Sequence, residues 1–313
     1  MAASGARVGA LLAALGVLTF SFSMPMTKIA VRAFDPVVAA IGRAAVAGVL
    51  SMVALAVVRP PRPSAAQARR MVWVVLGVVV GFPLLAAYAL QSTDSRHGSV
   101  VNGLLPLATA GLAVLRAGER PAARYWLCSA AGVGAVVAYV IADGGGRLHR
   151  ADALLVLAVA AAAVGYTEGA LLARELGGWQ VITWALALAA PCTITATAIG
   201  IGQTGMSATP GQWGAFAYTA VGSMFLGFFA WYAGMARAGI ARAGQLQIAQ
   251  PALSLVWGWP LLGERLSVAA IVTVTVVLAA VAIGRRATIR LSPERATHAL
   301  PAGAIRLIPA RVE

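Results

Sequence analysis

A chain of 313 residues with 60% hydrophobic residues, 11% charged residues and a mean hydropathy of +0.83 carries more apolar surface than a water-soluble fold of that size can hide, so lipid must be its solvent. The formal charge of +14 would suggest nucleic acid in a soluble protein, but the 24 basic residues sit mainly in short stretches between long apolar runs, as membrane topology signals do, and nucleic acid is not expected as a partner. Cys128 and Cys192 lie in separate apolar runs with no second thiol nearby in sequence, so neither a disulfide nor a metal site is expected; both are expected as small core residues.

A bilayer core about 30 Å thick needs about 20 apolar residues per helix. In chain order such runs lie at 8–31, 36–58, 71–91, 97–115, 123–142, 152–173, 179–201, 212–236, 243–262 and 267–284, ten in all. The first, with Arg7 ahead of Val8 to Phe20, resembles a signal peptide, but no distinct cleavage signal or polar mature domain follows, so a retained helix is expected. Asp35-Pro36, Arg59-Pro60-Pro61-Arg62-Pro63, Gly144-Gly145-Gly146 and Thr209-Pro210-Gly211 break the runs where the chain must reverse. Residues 285–313, rich in Arg with Pro293, Pro301 and Pro309, read as a mobile basic cytoplasmic tail that touches anionic lipid.

Cytoplasmic loops retain positive charge. With the N-terminus inside, the inner segments hold 17 Lys and Arg, among them Arg59, Arg62, Arg69, Arg70, Arg116 and Arg174, against 6 outside. Both termini are therefore expected in the cytoplasm, in a multi-pass protein of the bacterial cytoplasmic membrane.

The chain also repeats itself. Pro106 stands twelve residues before Gly118-Glu119-Arg120, and Pro251 stands twelve before Gly263-Glu264-Arg265. Tyr88-Ala89 and Tyr232-Ala233 precede those prolines by 18 and 19 residues, and Asn102 and Gln247 each lie four before. Five helices per half is an odd number, so the second half enters the membrane inverted. The expected fold is an all-α integral membrane protein, ten transmembrane helices arranged as two inverted five-helix repeats (1–142 and 152–284) around a central cavity. That is the architecture of secondary transporters working by alternating access. Pro106 and Pro251 should act as hinges, each bending its helix and freeing a backbone carbonyl at the level of Asn102 or Gln247.

Tyr88-Ala89-Leu90, Pro106 and Gly118-Glu119-Arg120, with Trp231-Tyr232-Ala233, Gln250-Pro251 and Gly263-Glu264-Arg265, resemble the EamA-type members of the drug/metabolite transporter superfamily over residues 8–284. Lys28 and Arg43 resemble the family's basic positions in the first two helices. The resemblance implies ten helices, cytoplasmic termini and metabolite export through a central cavity, with bacterial amino-acid exporters, the aromatic amino-acid exporters included, as the nearest kind. Leu105 stands where the second half has Gln250, so the halves do not bind identically.

Polar side chains in lipid are costly and face partners or water-filled cavities. The substrate-site candidates are Ser23, Thr27 and Lys28 on helix 1, Arg43 on helix 2, Tyr88 and Gln91 on helix 3, and Asn102 on helix 4. In the second half they are Tyr166 and Glu168 on helix 6, Trp231 and Tyr232 on helix 8, and Gln245, Gln247 and Gln250 on helix 9. Lys28 could attract a carboxylate or snorkel to the interface, and Arg43 could bind substrate or pair with Glu168 or Asp94. Glu168 is the candidate proton carrier, or else one side of a structural salt bridge. His97 reads as a solvated residue at the extracytoplasmic end, and Glu119 and Glu264 as loop caps paired with adjacent arginines.

No catalytic constellation, cofactor motif or metal site is evident, so the chain is not expected to be an enzyme. Gly200-Ile201-Gly202-Gln203-Thr204-Gly205 matches a dinucleotide pattern but follows a membrane helix rather than a strand, and reads as an extracytoplasmic loop. The expected partners are a small-molecule substrate and membrane lipid, with a monomer among the possible oligomeric states. The expected function is export or exchange of small metabolites, amino acids first and aromatic or hydrophobic ones among them. A drug or quaternary-cation exporter is the alternative, although Glu168 then stands nearly alone against Lys28 and Arg43; a receptor or intramembrane enzyme is a weaker one.

Overall fold

The computed structural model describes the backbone of residues 2–117, 119–121, 123–143, 147–284 and 289–291. Helix α1 (Ala2–Ser21) runs into α2 (Ser23–Ala30) with an interruption at Phe22. The Asp35 carboxylate accepts from the Val37 N–H at 2.8 Å and starts α3 (Pro36–Val58), with Pro36 where its missing N–H costs nothing. Arg59, in the left-handed region at φ 50°, ends it. A Ser64–Gln67 capping box starts α4 (Ala65–Val74), which winds through a π-helical stretch, Val75–Gly81, into α5 (Phe82–Ser92). Then come α6 (Ser95–Asn102), α7 (Leu105–Ala117) and α8 (Ala123–Asp143).

The second half begins with α9 (Arg150–Leu176) and α10 (Gly178–Thr204). Helix α11 (Pro210–Ala217), started by a Thr209–Gln212 capping box, passes through a second π-helical stretch, Tyr218–Gly227, into α12 (Phe228–Ala238). Helices α13 (Ile240–Leu246), α14 (Ala249–Leu262) and α15 (Val268–Gly284) complete it. Among the described residues eight helical stretches are long and apolar enough to cross a bilayer. Of the other two runs expected from sequence, the ninth is divided into α13 and α14, and the tenth is the 17-residue α15.

Two expectations need correction, and one pairing was not expected. The unexpected pairing lies in the links of an otherwise all-helical fold: β1 (Glu119–Pro121) runs antiparallel to β2 (Ile289–Leu291), so the link after α7 holds the segment after α15. Outside the apolar runs an extended backbone can take its hydrogen bonds from a neighbouring segment. The glycine-rich stretch is no loop, because α10 continues through Thr204 and stops at Gly205 with φ 75°; in lipid, helix is the state that satisfies the backbone. Cys192 is exposed and Cys128 half-buried, so neither is a core residue; a small apolar thiol is equally at home facing lipid. Gly144-Gly145-Gly146, the side chain of Glu119 and most of the tail lie outside the described residues.

The contacts between halves follow a two-fold pattern. Helix α3 packs on α10, α8 on α15, α1 on α12, and the α4–α5 run on α9. Helix α6 packs on α14 and α7 on α13, so the fourth and ninth runs lie antiparallel. The π-helical stretches fall in the third helix of each half, extending the repeat beyond its sequence signature.

Small residues permit these close crossings, since packing rather than hydrophobic burial joins helices in lipid. A Cβ on Gly77 would sit 2.5 Å from the Ala161 carbonyl oxygen, and one on Gly234 would sit 2.5 Å from the Ala13 nitrogen. Gly234→Val is therefore expected to force α1 from α12 at a cost of roughly 1–3 kcal/mol or more. Fluorescence-detected size exclusion after solubilisation should show a lower folded yield and an earlier thermal transition; an unchanged profile would contradict the crossing.

Candidate functional site

Three broken helices meet near the centre of the bundle. At the α1/α2 interruption Pro25 has no N–H to offer the Ser21 carbonyl four residues back, and α14 brings side-chain donors to this turn. Ser254 Oγ donates to the Ser21 oxygen at 2.6 Å, and Gln250 Nε2 reaches the Phe20 oxygen at 3.5 Å. The fourth run breaks at Gly103–Leu104, just before Pro106, and the ninth at Gln247–Ile248, just before Pro251. Proline clashes with the carbonyl four residues back, which is that of Asn102 in one half and Gln247 in the other. Broken helices inside a membrane bundle mark binding sites because they place polar backbone at mid-depth.

A cavity of about 30 Å³, room for about two waters, lies among these breaks. Its polar lining is Ser23, Arg43, Asn102, Tyr166, Ser223 and Gln250, drawn from both halves. Ser23 and Ser223 join across it, Oγ to Oγ, at 2.8 Å. Asn102 is buried, and among the described residues its Oδ1 has no partner. Gln247, also buried, places Nε2 3.4 Å from Gln250 Oε1 and lies beside the Tyr166 side chain. Aromatic rings complete the lining: Phe20 lies 4.9 Å from Phe228 and 6.3 Å from Tyr166 between centroids, and Trp231, outside the lining, packs 5.3 Å from Tyr166.

Arg43 dominates the electrostatics. It is 4% exposed, and among the described residues its Nε has no partner and no carboxylate reaches its guanidinium. The two acids considered for it from sequence are engaged elsewhere, Glu168 with Arg70 and Arg116 and Asp94 with Arg96. A buried charge is normally compensated by a partner. A cation so placed, beside polar amides and hydroxyls, has the chemistry to pair with an anion.

Other candidates lie elsewhere. Tyr88 is 41% exposed and Gln91 is exposed too, because α5 turns its small residues Ala86, Ala87 and Ala89 inward and this pair, three apart, outward. Lys28 donates to the carbonyls of Leu90 and Thr93, each at 2.7 Å, so it caps the C-terminal end of α5. Thr27 is buried in α2 but does not line the cavity. Trp231 and Tyr232 are fully buried core residues, the Tyr232 hydroxyl donating to the Gly165 oxygen at 3.0 Å. The Gln245 side chain lies outside the described residues.

Glu168 belongs to an ion cluster at one end of the bundle. Arg116 Nε reaches its Oε1 at 2.6 Å and Arg70 Nε its Oε2 at 3.5 Å, while Arg70 also holds Glu175 at 2.6 Å. Arg174 joins them around an opening of about 470 Å³. With both oxygens facing guanidinium groups, Glu168 ties α9 to α4 and α7 as a salt bridge.

The opposite end is held differently. Glu264 accepts from the N–H groups of Ser95 and Arg96, both at 2.9 Å, and from the Ser95 hydroxyl at 2.8 Å, capping α6 from the link after α14. Loop capping was expected of Glu264, but toward its own arginine rather than across to the other half. His97 is no solvated residue: it is 5% exposed, with Nδ1 3.0 Å from Asp143 and Nε2 2.6 Å from Asp152. The signal for it was an ionisable residue at the edge of an apolar run with acids flanking the next link. Ser223 and the ring of Phe228 were also missed, both within one apolar run.

The sequence profile described as the EamA-like transporter family matches residues 7–141 and again 149–284. Over 280 residues the chain is 41% identical to the protein named "Uncharacterized transporter YdeK" of Bacillus subtilis (strain 168), covering 87% of this chain and 95% of that one. A solved crystal structure of a protein superposes with a TM-score of 0.66 at 17% identity, covering 89% of this chain and 98% of the other, which shows a shared fold.

Proposed function

Because the chain belongs to the EamA-like transporter family, we propose that it exports or exchanges small metabolites bearing a carboxylate, amino acids with apolar or aromatic side chains foremost. The observation that carries this reading is Arg43, a buried guanidinium without a carboxylate partner among the described residues, on the wall of the central cavity. A bidentate fork suits a carboxylate, and Asn102, Gln250 and the Ser23–Ser223 pair offer donors and acceptors for an amino group. The ring wall of Phe20, Tyr166 and Phe228 suits the apolar part of the substrate. Cation export has no comparable support, since no carboxylate among the described residues lines this cavity.

Transport runs by alternating access of two inverted five-helix repeats, ten spans in all. The antiparallel packing of α6–α7 on α13–α14 supports that inversion. A cavity of about 30 Å³ closed by clusters at both ends suits an occluded state, from which release of one cluster opens one side. The ion cluster gathers Arg70, Arg116 and Arg174 at one end, which supports a cytoplasmic face there and cytoplasmic termini in the bacterial inner membrane.

Counterflow in proteoliposomes loaded with labelled amino acids tests the reading. Saturable exchange of one carboxylate class, blocked by other carboxylates and not by quaternary amines, is the expected result; exchange of cations alone would sink it. In the same assay Asn102→Ala and Gln247→Ala should each lower exchange about tenfold, the worth of one buried hydrogen bond, in protein that still elutes as folded. Normal exchange by both variants would remove the facing amides from the site.

A further inference from the structure

His97 connects three helices through one ring. It stands on α6, and its two nitrogens face acids on two other elements, Asp143 at the end of α8 and Asp152 in the first turn of α9. The doubly protonated ring donates at both contacts. Either neutral tautomer donates at one and turns a lone pair toward a carboxylate oxygen at the other, converting attraction to repulsion. One proton therefore decides whether α6 is tied to both neighbours or to one.

The surroundings make that proton exchangeable on one side. Asp143 is 29% exposed and gives Nδ1 a route to water, while Asp152 is buried and is held through Oδ2 by the His149 N–H at 2.7 Å. Among the described residues the other groups facing this site are few. From α8, the Tyr139 ring lies 5.7 Å from the imidazole. Ahead of α9, His149 Nδ1 is 3.9 Å from Asp152. On α6 itself, Arg96 lies 3.7 Å from Asp143 and 3.8 Å from Asp94. Glu264 and Lys28 approach from α14 and α2 but are spent on backbone groups of the neighbouring turns.

Helix α6 is an eight-residue half-helix whose last residue, Asn102, lines the central cavity five positions after His97. We infer that His97, Asp143 and Asp152 form a proton-binding site that couples protonation at this end to the opening of the cavity. This rests on the transporter reading above. With the proton bound, α6 is held against α8 and α9 and the end is closed; loss of one proton to water frees α6 on one side and favours opening.

Two readouts on the full-length protein in proteoliposomes test it. Amide exchange of residues 95–102, scaled to the chemical rate, should rise with pH, up to about tenfold per unit for a single linked proton. Counterflow should show a matching pH dependence. His97→Gln, which carries no titrating proton, should flatten both profiles, and Asp143→Asn, at a more exposed position, should flatten them if the first variant folds poorly. Parallel profiles for the parent protein and either folded variant would overturn the site. If exchange at 95–102 follows the predicted profile while no carboxylate is transported by any form, the proton site stands and the substrate reading falls.

Discussion

Arg43→Gln is expected to abolish carboxylate transport, by about 100-fold or more, while leaving the thermal transition unchanged or raised. The two halves of that expectation come from the same fact. Arg43 is 4% exposed, and it bears a desolvation cost of several kcal/mol that no ion pair among the described residues offsets. Removing the charge relieves the fold. It also removes the group that would receive the substrate carboxylate, and a buried charge-assisted contact of that kind is worth about 2–5 kcal/mol. Arg43→Lys should fall between, about tenfold down, because an ammonium keeps the charge but loses the planar fork. Proteoliposome counterflow beside differential scanning fluorimetry separates the effects. Loss of fold in Arg43→Gln would make the residue structural; parental transport of carboxylates would remove it from the site.

The division of the chain was legible because lipid makes its demands in sequence: long apolar runs, prolines between them and arginines grouped in alternate links. The helix breaks before Pro106 and Pro251 were legible for a local reason, since proline acts on the carbonyl four residues behind it. Orientation about each helix axis was not. Tyr88 and Gln91 are as polar as Asn102 and Gln250, yet α5 turns the first pair outward while α6 and α14 turn the second inward. In lipid the outward face is apolar too, so no polar stripe marks the inside. Partners across the fold were equally hidden. Nothing local to Lys28 names the carbonyls of Leu90 and Thr93, and nothing local to Glu264 names the start of α6. The π-helical stretches leave no clear mark on apolar sequence, although they carry Val78 and Met224 to the cavity wall.

Glu264→Ala should open the end of the protein that Glu264 now closes. The left-handed Gly263, at φ 69°, turns the chain out of α14 so that the next side chain reaches the first turn of α6. There the carboxylate accepts two backbone N–H groups and one hydroxyl, all at 2.8–2.9 Å, and complements the positive end of the helix dipole. Hydrogen bonds to a charged acceptor contribute roughly 1.5–3 kcal/mol each and are not additive, so a net loss of about 3 kcal/mol is a fair expectation. If that energy favours the closed state alone, the closed-to-open ratio changes by roughly 150-fold. A Ser99→Cys probe on the buried face of α6, in a background with Cys128 and Cys192 replaced, reports the change. A membrane-impermeant maleimide should label it slowly in the parent and rapidly in Glu264→Ala. Glu264→Gln keeps an acceptor without the charge and should lie between. Labelling at the parental rate in folded Glu264→Ala would mean that α6 is held shut without this contact, leaving closure to His97 and the packing of α6 on α14.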